Sequence, residues 1–286
     1  MTRIAGDDVK RDVGIHAGIS FVQYQGIDAV NNSLLKMFRQ TPAHAHYKMT
    51  HPEEDTESLR LGDAVHVAIL EPARFEREYI KSPKFDKRSN AGKAAAAEWI
   101  EKHGDQAAIL PDEWDWACAM RDSVWAHPLA SELLKGAGQN EMTALWIDKE
   151  TGLLCKARPD RFTNYRGWSV ILDIKTTSDP ATPEGFGRAC AKYLYHWQAA
   201  FYLDGLNTLA AHKRRWIHLV VEKEPPYCIA LMELDDSALE EGRQQYRRAL
   251  ALYAECMKKN EWLGYPVGVE GMDIPRWAYE LTCPPK

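Results

Sequence analysis

The sequence predicts an α/β fold, in which a central mixed sheet is flanked by helices and additional helices lie on its N-terminal side. Apolar residues recur at helical spacing in the first half of the chain, and short segments with a period of two follow in the second half. The chain has 286 residues, of which 45% are hydrophobic, so it can bury a substantial core. Because no internal repeat and no convincing linker is visible, we expect residues 1–286 to form one domain.

Four segments of the first half are predicted to be helices. Ser33 can cap the helix "LLKMFRQ", which stops before Pro42, and "LRLGDAVHVAILEP" forms a helix that ends before Pro72. The Ala-rich segment "AGKAAAAEWIEKHG" is closed by Gly104, and "DEWDWACAMRDSVWAHP" ends at Pro128. These segments are the additional N-terminal helices.

The second half alternates between strands and helices. The segments "EMTALWI", "GLLCKARPDRF" and "WSVILDIKT" are predicted strands, joined by turn residues such as those in "DKETG". The segment "ACAKYLYHWQAAFYLDGLNTL" is predicted to be a helix, and two further strands are predicted in "RRWIHLVVEK" and "YCIALMEL". A long amphipathic helix, "DDSALEEGRQQYRRALALYAECMKKN", begins at Asp235 or Asp236.

Composition excludes several classes of protein. The six cysteines form no CxxC pair, which argues against a zinc ribbon, an iron-sulfur cluster or a disulfide framework. Since no run of about 18 apolar residues occurs and the N-terminus lacks the apolar core of a signal peptide, we expect a soluble cytoplasmic protein without a membrane partner. The net charge of −5 gives no general attraction to nucleic acid. Two local stretches, "KSPKFDKRSNAGK" and "HKRRW", are basic, and each is either a polyanion contact or a solvated surface.

Charged residues on a buried strand are the main candidates for chemistry. Side chains alternate across a strand, so Asp173 and Lys175 share one face of "WSVILDIKT", and Asp160 ends the preceding predicted strand. Two carboxylates that converge repel each other unless a hard divalent cation binds them, and a nearby lysine can then orient water or stabilise phosphoryl charge. The pattern indicates metal-assisted phosphodiester hydrolysis, and the alternative is an ordinary Asp–Lys ion pair.

Two further residues could complete such a site. Glu141 begins the strand that precedes the Asp160 strand and could reach the same cluster across the hairpin. His66 lies among apolar neighbours in its predicted helix, where it is either a core histidine or, beside a carboxylate pair, another metal ligand.

The same residues resemble a known family. Pro159, Asp160, Asp173, Ile174 and Lys175 stand in the positions of the PD-(D/E)xK nuclease signature. Several longer segments resemble the exonuclease VIII (RecE-type) and RecB-nuclease branch; these are "GISFVQYQGIDAVNNSLLKMF", "LRLGDAVHVAILEP", "TGLLCKARPDRF", "DIKTT", "YHWQAAFYLDGL" and "IPRWA". The resemblance extends over nearly the whole chain, and it implies a PD-(D/E)xK nuclease core.

The resemblance implies roles for individual residues. The metal, Mg²⁺ with Mn²⁺ able to substitute, would be held by four side chains and one backbone carbonyl; these are His66, Glu141, Asp160, Asp173 and Ile174. Lys175 would position the attacking water, so Asp160, Asp173, Lys175 and Glu141 are the catalytic candidates. Candidates for DNA contact are Gln198 and Tyr202, which could instead support the site, and Lys87 and Arg88 from the basic stretch.

The implied activity is that of a phage or prophage recombination exonuclease in a bacterial host cell. It would resect duplex DNA ends from the 5′ side and leave 3′ single strands, acting as a homo-oligomeric ring with a single-strand annealing recombinase as a possible partner. Three alternatives stay open from the sequence: an endonuclease of restriction or repair type with the same metal site, a catalytically inactive DNA-binding module, and an unrelated α/β protein with a chance ion pair.

Overall fold

The computed structural model describes residues 12–51, 57–86, 88–104, 106–210 and 212–279. Its helices are α1 (Phe21–Gly26), α2 (Asn32–Met37), α3 (Pro42–Thr50), α4 (Glu57–Leu70), α5 (Pro72–Glu78), α6 (Asn90–His103), α7 (Pro111–Ala126), α8 (Pro128–Lys135), α9 (Pro183–Tyr193), α10 (Tyr195–Leu209), α11 (Asp236–Lys259) and α12 (Arg276–Tyr279). Its strands are β1 (Gly14–His16), β2 (Tyr79–Lys81), β3 (Ala107–Ile109), β4 (Gly138–Asn140), β5 (Thr143–Ile147), β6 (Leu154–Ala157), β7 (Arg161–Tyr165), β8 (Trp168–Thr177), β9 (Arg214–Glu222) and β10 (Ile229–Met232).

The main sheet is mixed and has five strands in the order β10-β9-β8-β7-β4. Strands β7 and β8 form an antiparallel hairpin, whereas β8 and β9 are parallel and are connected through α9 and α10. A parallel pair requires such a crossover, because the chain must return to the starting edge of the sheet. A three-stranded sheet, β1-β5-β6, and a short parallel pair, β2-β3, complete the β structure of the described residues.

Strand β8 is the centre of the core because both of its faces are covered. Val170, Leu172 and Ile174 pack into the cluster formed largely by α4, α7 and α8. Ile171 packs on the opposite side with α10 and α11. The predicted alternation of β8 is therefore confirmed, and the charged residue Asp173 lies on the same side as Ile171 within a buried environment.

Most predicted elements are confirmed, including the mixed sheet with helices on both sides. The helix that contains His66, the Ala-rich helix capped at Gly104, and the long helix α11 with Asp235 as its N-cap all form. The described part of the chain contains no helix that is long and apolar enough to cross a membrane. The prediction that the chain is one domain stays a prediction.

Several local predictions are wrong, including the single strand "GLLCKARPDRF", which is divided into β6 and β7. The cap of α2 is Asn31 rather than Ser33, because the Asn31 side chain accepts a hydrogen bond from the amide of Leu34 at 2.8 Å. The predicted helix over residues 189–209 is two helices, since Leu194 takes a left-handed conformation with φ of 57° between α9 and α10. Asp160 is in the loop that precedes β7, not at the end of a strand.

Candidate active site

Asp173 is an almost completely buried carboxylate on β8, with only 1% of the residue exposed. Lys175 is two residues further along and so lies on the same face, where its Nζ atom is 2.7 Å from Asp173 Oδ1. The Nε2 atom of Gln198 on α10 donates to the same oxygen at 3.1 Å. The predicted pair therefore forms, and Gln198 supports it directly.

His218 on β9 is a partner of Asp173 that the sequence patterns did not identify. The two residues are paired directly across the parallel strands β8 and β9, and His218 Nδ1 donates to Asp173 Oδ2 at 2.9 Å. Trp216 Nε1 lies close to both ring nitrogens, at 3.3 Å from Nδ1 and 3.2 Å from Nε2, so the indole packs against the same imidazole. The only available signal was a histidine within an apolar strand, and its partner could not be known without the strand order.

Asp160 meets the β8 strand through its backbone. Its Oδ2 atom accepts a hydrogen bond of 2.6 Å from the amide of Ile174, because the β7–β8 hairpin places the loop before Arg161 opposite that part of β8. His66 on α4 reaches the same point from the other side. Its Nε2 atom is 2.8 Å from the carbonyl oxygen of Ile174, and its Nδ1 atom is 3.9 Å from Asp160 Oδ2. Three of the predicted ligands thus converge.

The two aspartates differ in the direction of their pKa shifts. Burial raises the pKa of Asp160, and the nearby charge of Asp173 adds to this effect. Burial also acts to raise the pKa of Asp173, but the positive charge of Lys175 and the hydrogen bond from His218 outweigh it and lower the pKa overall. The pKa of Lys175 is raised, since the two carboxylates outweigh the opposing effect of its burial. Asp173 and Lys175 are therefore both charged at neutral pH.

Glu141 borders the same site but faces two arginines. It has a φ of 49° between β4 and β5, and its backbone amide donates to the carbonyl of Asp160 at 2.9 Å. Its Oε2 atom accepts from Arg158 at 3.0 Å and from Arg74 at 3.4 Å. It precedes the strand rather than beginning it, and in this arrangement it anchors guanidinium groups. Its role as a metal ligand stays a prediction.

An open cavity of about 430 Å³ adjoins the predicted ligands, and His66, Glu141 and Asp160 line it. Tyr202 also lines this cavity, although only 8% of the residue is exposed, so it contributes the edge of a largely buried ring. Asp173 is 1% exposed and does not line this cavity. We call this space the active-site cavity.

Of the two predicted DNA contacts in the basic stretch, Arg88 is the one that lies within the described residues. Arg88 bonds to its neighbour Asp86 through Nε at 3.0 Å and does not line the active-site cavity. Lys87 lies outside the described residues. The role of this stretch in DNA binding stays a prediction.

Two further residues, Tyr195 and Lys36, lie close to the cluster. Tyr195 at the start of α10 lies under Lys175, with Nζ 5.0 Å from the ring centroid. Lys36 from α2 contacts the same ring at 5.4 Å. Burial lowers the pKa of Lys36 to about 8, and the charge of Lys175 acts in the same direction. Two cationic side chains thus share one aromatic ring beside Asp173.

The donors at the site have the chemistry that a hard divalent cation requires. They are carboxylate oxygens, one backbone carbonyl and one imidazole, which suit Mg²⁺ or Mn²⁺. Among the described residues, no three His, Cys, Asp or Glu side chains are gathered closely enough to form a finished metal site. Both oxygens of Asp173 already accept hydrogen bonds, from Lys175, Gln198 and His218. A cation would have to compete with these donors.

Comparisons with known proteins agree with this architecture. Residues 31–273 match the model of a family described as a PDDEXK-like domain of unknown function (DUF3799). No curated protein matches the sequence. The fold is similar to the crystal structure of a protein from Eubacterium rectale described as a "putative exonuclease", with a TM-score of 0.53 and 14% identity over 87% of this chain and 94% of that chain.

Two other solved structures are more distant. SSO0001 has a TM-score of 0.31 and 18% identity over 77% of this chain and 84% of that chain. Protein VC1899 from Vibrio cholerae has a TM-score of 0.23 and 9% identity over 81% of this chain and 57% of that chain. The predicted nuclease-type α/β core is confirmed by the family match and the Eubacterium rectale structure.

Proposed function

The chain belongs to the PDDEXK-like family DUF3799, and on this premise we propose that it is a Mg²⁺-dependent exodeoxyribonuclease that degrades one strand of duplex DNA from its 5′ end. The family and the fold are those of PD-(D/E)xK proteins, in agreement with the signature residues Asp160, Asp173 and Lys175. The RecE-type assignment, the polarity and the recombination role rest on the resemblance of the longer sequence segments.

One observation carries the proposal. Asp160 and His66 line a cavity and both contact the backbone of Ile174, and Asp173 and Lys175 flank Ile174 on the same strand. A purely structural ion pair would not require a second carboxylate, that of Asp160, or an imidazole beside it. Buried charges of this kind are costly to maintain without a function or a ligand.

Several residues of the chain could hold the cation that phosphodiester hydrolysis requires. Asp160, Asp173, His66 and the Ile174 carbonyl would hold the cation, and Glu141 would join them if it exchanged its arginine partners for the metal. A bound cation would supply charge neutralisation at the phosphate and a more acidic water.

Lys175 would bind the attacking water and stabilise negative charge on the phosphoryl oxygens. Its position is fixed by Asp173 at 2.7 Å and by the ring of Tyr195. Gln198 and His218 fix Asp173 in turn, so the ammonium group is held in place before substrate binds.

The proposal also includes cleavage that starts at DNA ends and the assembly of the protein into a homo-oligomer. A protein of similar fold is described as a "putative exonuclease", which favours an end-specific activity for this chain as well. We extend the proposal to a homo-oligomeric ring that holds duplex DNA ends in a central channel, and to delivery of the 3′ single strand to an annealing recombinase. A ring would concentrate local basic surfaces and so offset the net charge of −5.

A single experiment separates this proposal from its alternatives. Linear duplex DNA labelled at either the 5′ or the 3′ end and covalently closed duplex DNA are incubated with the protein, with and without Mg²⁺. We expect release of the 5′ label from linear DNA in Mg²⁺ alone, and no attack on closed circles. Cleavage of closed circles would instead indicate an endonuclease, and binding without cleavage would indicate an inactive DNA-binding module.

The matched control is Asp160→Asn purified in the same way. Its residual activity measures any contaminating host nuclease. Equal activity of this variant and the parent protein would contradict the assignment of the site.

A further inference from the structure

Exposed cationic side chains are grouped where the end of α2 meets the end of α9. Arg39, just after α2, donates from Nη1 to the backbone carbonyl of Lys192 at 3.1 Å and so joins the two helix ends. Arg188 lies one turn before Lys192, on the same exposed face of α9. In the part of the chain that the structure describes, none of these three cations forms an ion pair. The acidic residue of α9, Glu184, lies in its first turn, at the end away from Lys192.

A fourth cation connects this group to the proposed catalytic residues. Lys36 lies in the last turn of α2 and is half-buried, with its Nζ atom 5.4 Å from the ring centroid of Tyr195. Lys175 Nζ lies 5.0 Å from the same centroid. Burial, together with the charge of Lys175, lowers the pKa of Lys36 to about 8. Like charges at such distances repel each other, and a bound anion would relieve the repulsion.

Three aromatic rings form a row that runs from the core to this group of cations. The buried ring of Phe186 stacks on Tyr195 with centroids 5.9 Å apart, and Tyr195 stacks on Tyr193 at 5.7 Å. Tyr193 is 48% exposed. Residues two apart in a continuous helix do not face each other, so this stack depends on the break at Leu194, which has a φ of 57°. A left-handed leucine costs free energy, and such strain is typical of functional positions.

We propose that the cleaved DNA strand binds in single-stranded form to the surface made by Lys36, Arg39, Arg188, Lys192 and Tyr193, which we call the α2–α9 surface. The inference rests on the proposed nuclease function and adds the residues that hold the strand. The cations bind phosphate oxygens, and the ring of Tyr193 stacks on one base. Lys192 Nζ lies 4.9 Å from the Tyr193 centroid, and because Lys192 is exposed, a base can take its place while the ammonium group moves to a phosphate.

The position of the α2–α9 surface favours the cleaved strand as its ligand. Lys175 is proposed to bind the attacking water, and the ring of Tyr195 links its ammonium group to Tyr193. The strand whose phosphate is attacked is therefore the strand nearest to this surface. A base inside a duplex has both faces covered by its neighbours, so stacking on Tyr193 requires an unpaired nucleotide. Cations combined with an exposed aromatic ring are the usual means of binding single strands.

The test compares Tyr193→Ala and Tyr193→Phe with the parent protein in Ca²⁺, after thermal unfolding has shown that both variants fold. We expect Tyr193→Ala to bind a duplex with a short 5′ single-stranded tail roughly 5- to 100-fold more weakly than the parent protein does. Tyr193→Phe keeps the ring and should bind this duplex like the parent. Trp116 on α7 is similarly exposed, at 44%, so Trp116→Ala is the matched control and should also bind like the parent.

Tail polarity and abasic sites identify the strand and the contacted group. Abasic sites are placed one at a time along the 5′ tail, and we expect one position to weaken binding by the parent protein. Tyr193→Ala should be insensitive to the abasic site at that position, because the stacked pair is already lost. If Tyr193→Ala lost affinity only for a duplex with a 3′ tail, the surface would bind the other strand and the proposal would be wrong.

The salt dependence of binding tests the cations separately. Combined Arg39→Gln and Lys192→Gln substitutions remove two phosphate contacts, so the slope of log affinity against log salt should become less steep by roughly 1.4. Lys258→Gln, at an exposed position on α11, is the control and should leave the slope unchanged. A parental slope in the Arg39 and Lys192 variant would show that these cations do not contact phosphate, and would overturn their assignment.

The failure of this inference is distinguishable from failure of the proposed function. If the parent protein neither binds nor cleaves DNA, the proposed function is wrong and the inference falls with it. If the parent binds and cleaves tailed duplexes while folded Tyr193→Ala does so with unchanged affinity, the nuclease assignment stands and only the α2–α9 surface is wrong.

Discussion

His218 and Asp173 face each other across the two central parallel strands, and the bond between His218 Nδ1 and Asp173 Oδ2 is 2.9 Å long. Both side chains are 1% exposed. Trp216 Nε1 lies within 3.3 Å of both nitrogens of the same imidazole. The orientation of Asp173, and through it that of Lys175, thus depends on a residue that never reaches the active-site cavity.

Replacement of His218 is expected to reduce the rate of DNA cleavage more than it reduces the affinity for DNA in the absence of metal. His218→Ala removes one donor from a buried carboxylate and leaves a void, so we expect a loss of stability on the order of 2–4 kcal/mol. Loss of an outer partner of this kind typically reduces activity by roughly 10- to 100-fold. Chemical denaturation and single-turnover cleavage measure the two effects. The exposed residue His212 provides the control variant, His212→Ala. If folded His218→Ala cleaved DNA at the parental rate, His218 would not be needed to position Asp173.

Lys175 is expected to be essential for cleavage but not for folding. In Lys175→Ala, Asp173 keeps its bonds to His218 and Gln198, so the variant should stay folded. Removal of a fixed charge next to the reacting phosphate should reduce single-turnover cleavage by about 10²- to 10³-fold or more, with affinity for DNA in Ca²⁺ largely retained. The exposed Lys258→Ala should behave as the parent protein. A folded Lys175→Ala that cleaves at close to the parental rate would refute the proposed mechanism.

Metal dependence follows from the donor set. We expect turnover in Mg²⁺ or Mn²⁺, and DNA binding with little cleavage in Ca²⁺, because the donors are hard oxygens and one imidazole. Excess chelator should abolish cleavage, and added Mg²⁺ should restore it. Cleavage assays in each metal, with binding measured in parallel, check this expectation. Full turnover in chelator would exclude a metal role for Asp160 and Asp173.

Lys36 should make stability depend on pH above neutrality. Burial, with the charge of Lys175, lowers its folded pKa to about 8 from the ordinary value of 10.5. Below pH 8 the lysine is protonated in both states and burial of the charge destabilises the fold in full. Between the two pKa values the unfolded state binds more protons, so stability rises with pH, and above the higher value the cost is absent.

The variant Lys36→Met should therefore be more stable than the parent protein at pH 7, by on the order of 1–3 kcal/mol. The difference should shrink as the pH rises towards 10.5. Urea unfolding of both proteins at several pH values measures this difference in the free energy of unfolding. The other titrating groups are the same in both proteins, so their contributions cancel in the difference. The exposed Lys258→Met should show no such trend, and a constant difference between Lys36→Met and the parent would contradict the lowered pKa.

The sequence by itself determined the local features of the protein. The period of two along β8 placed Asp173 and Lys175 on one face, and the helical period placed His66 on α4. These features depend only on residues a few positions apart, which is why alternation and helical spacing predict them. The closeness of Asp160 and Asp173 could also be predicted from the sequence, because strands that follow each other along the chain commonly pair.

Only the tertiary structure decided which distant residues meet these side chains. His218 joins Asp173 because β9 lies parallel to β8 in a fixed register, and Asn32 from α2 lines the same cavity as Arg158 from the loop between β6 and β7. The break at Leu194 likewise turns one predicted helix into two and places Gln198 over Asp173. Strand order, register and helix direction are set by how the whole core packs, and no periodicity within a single segment specifies them.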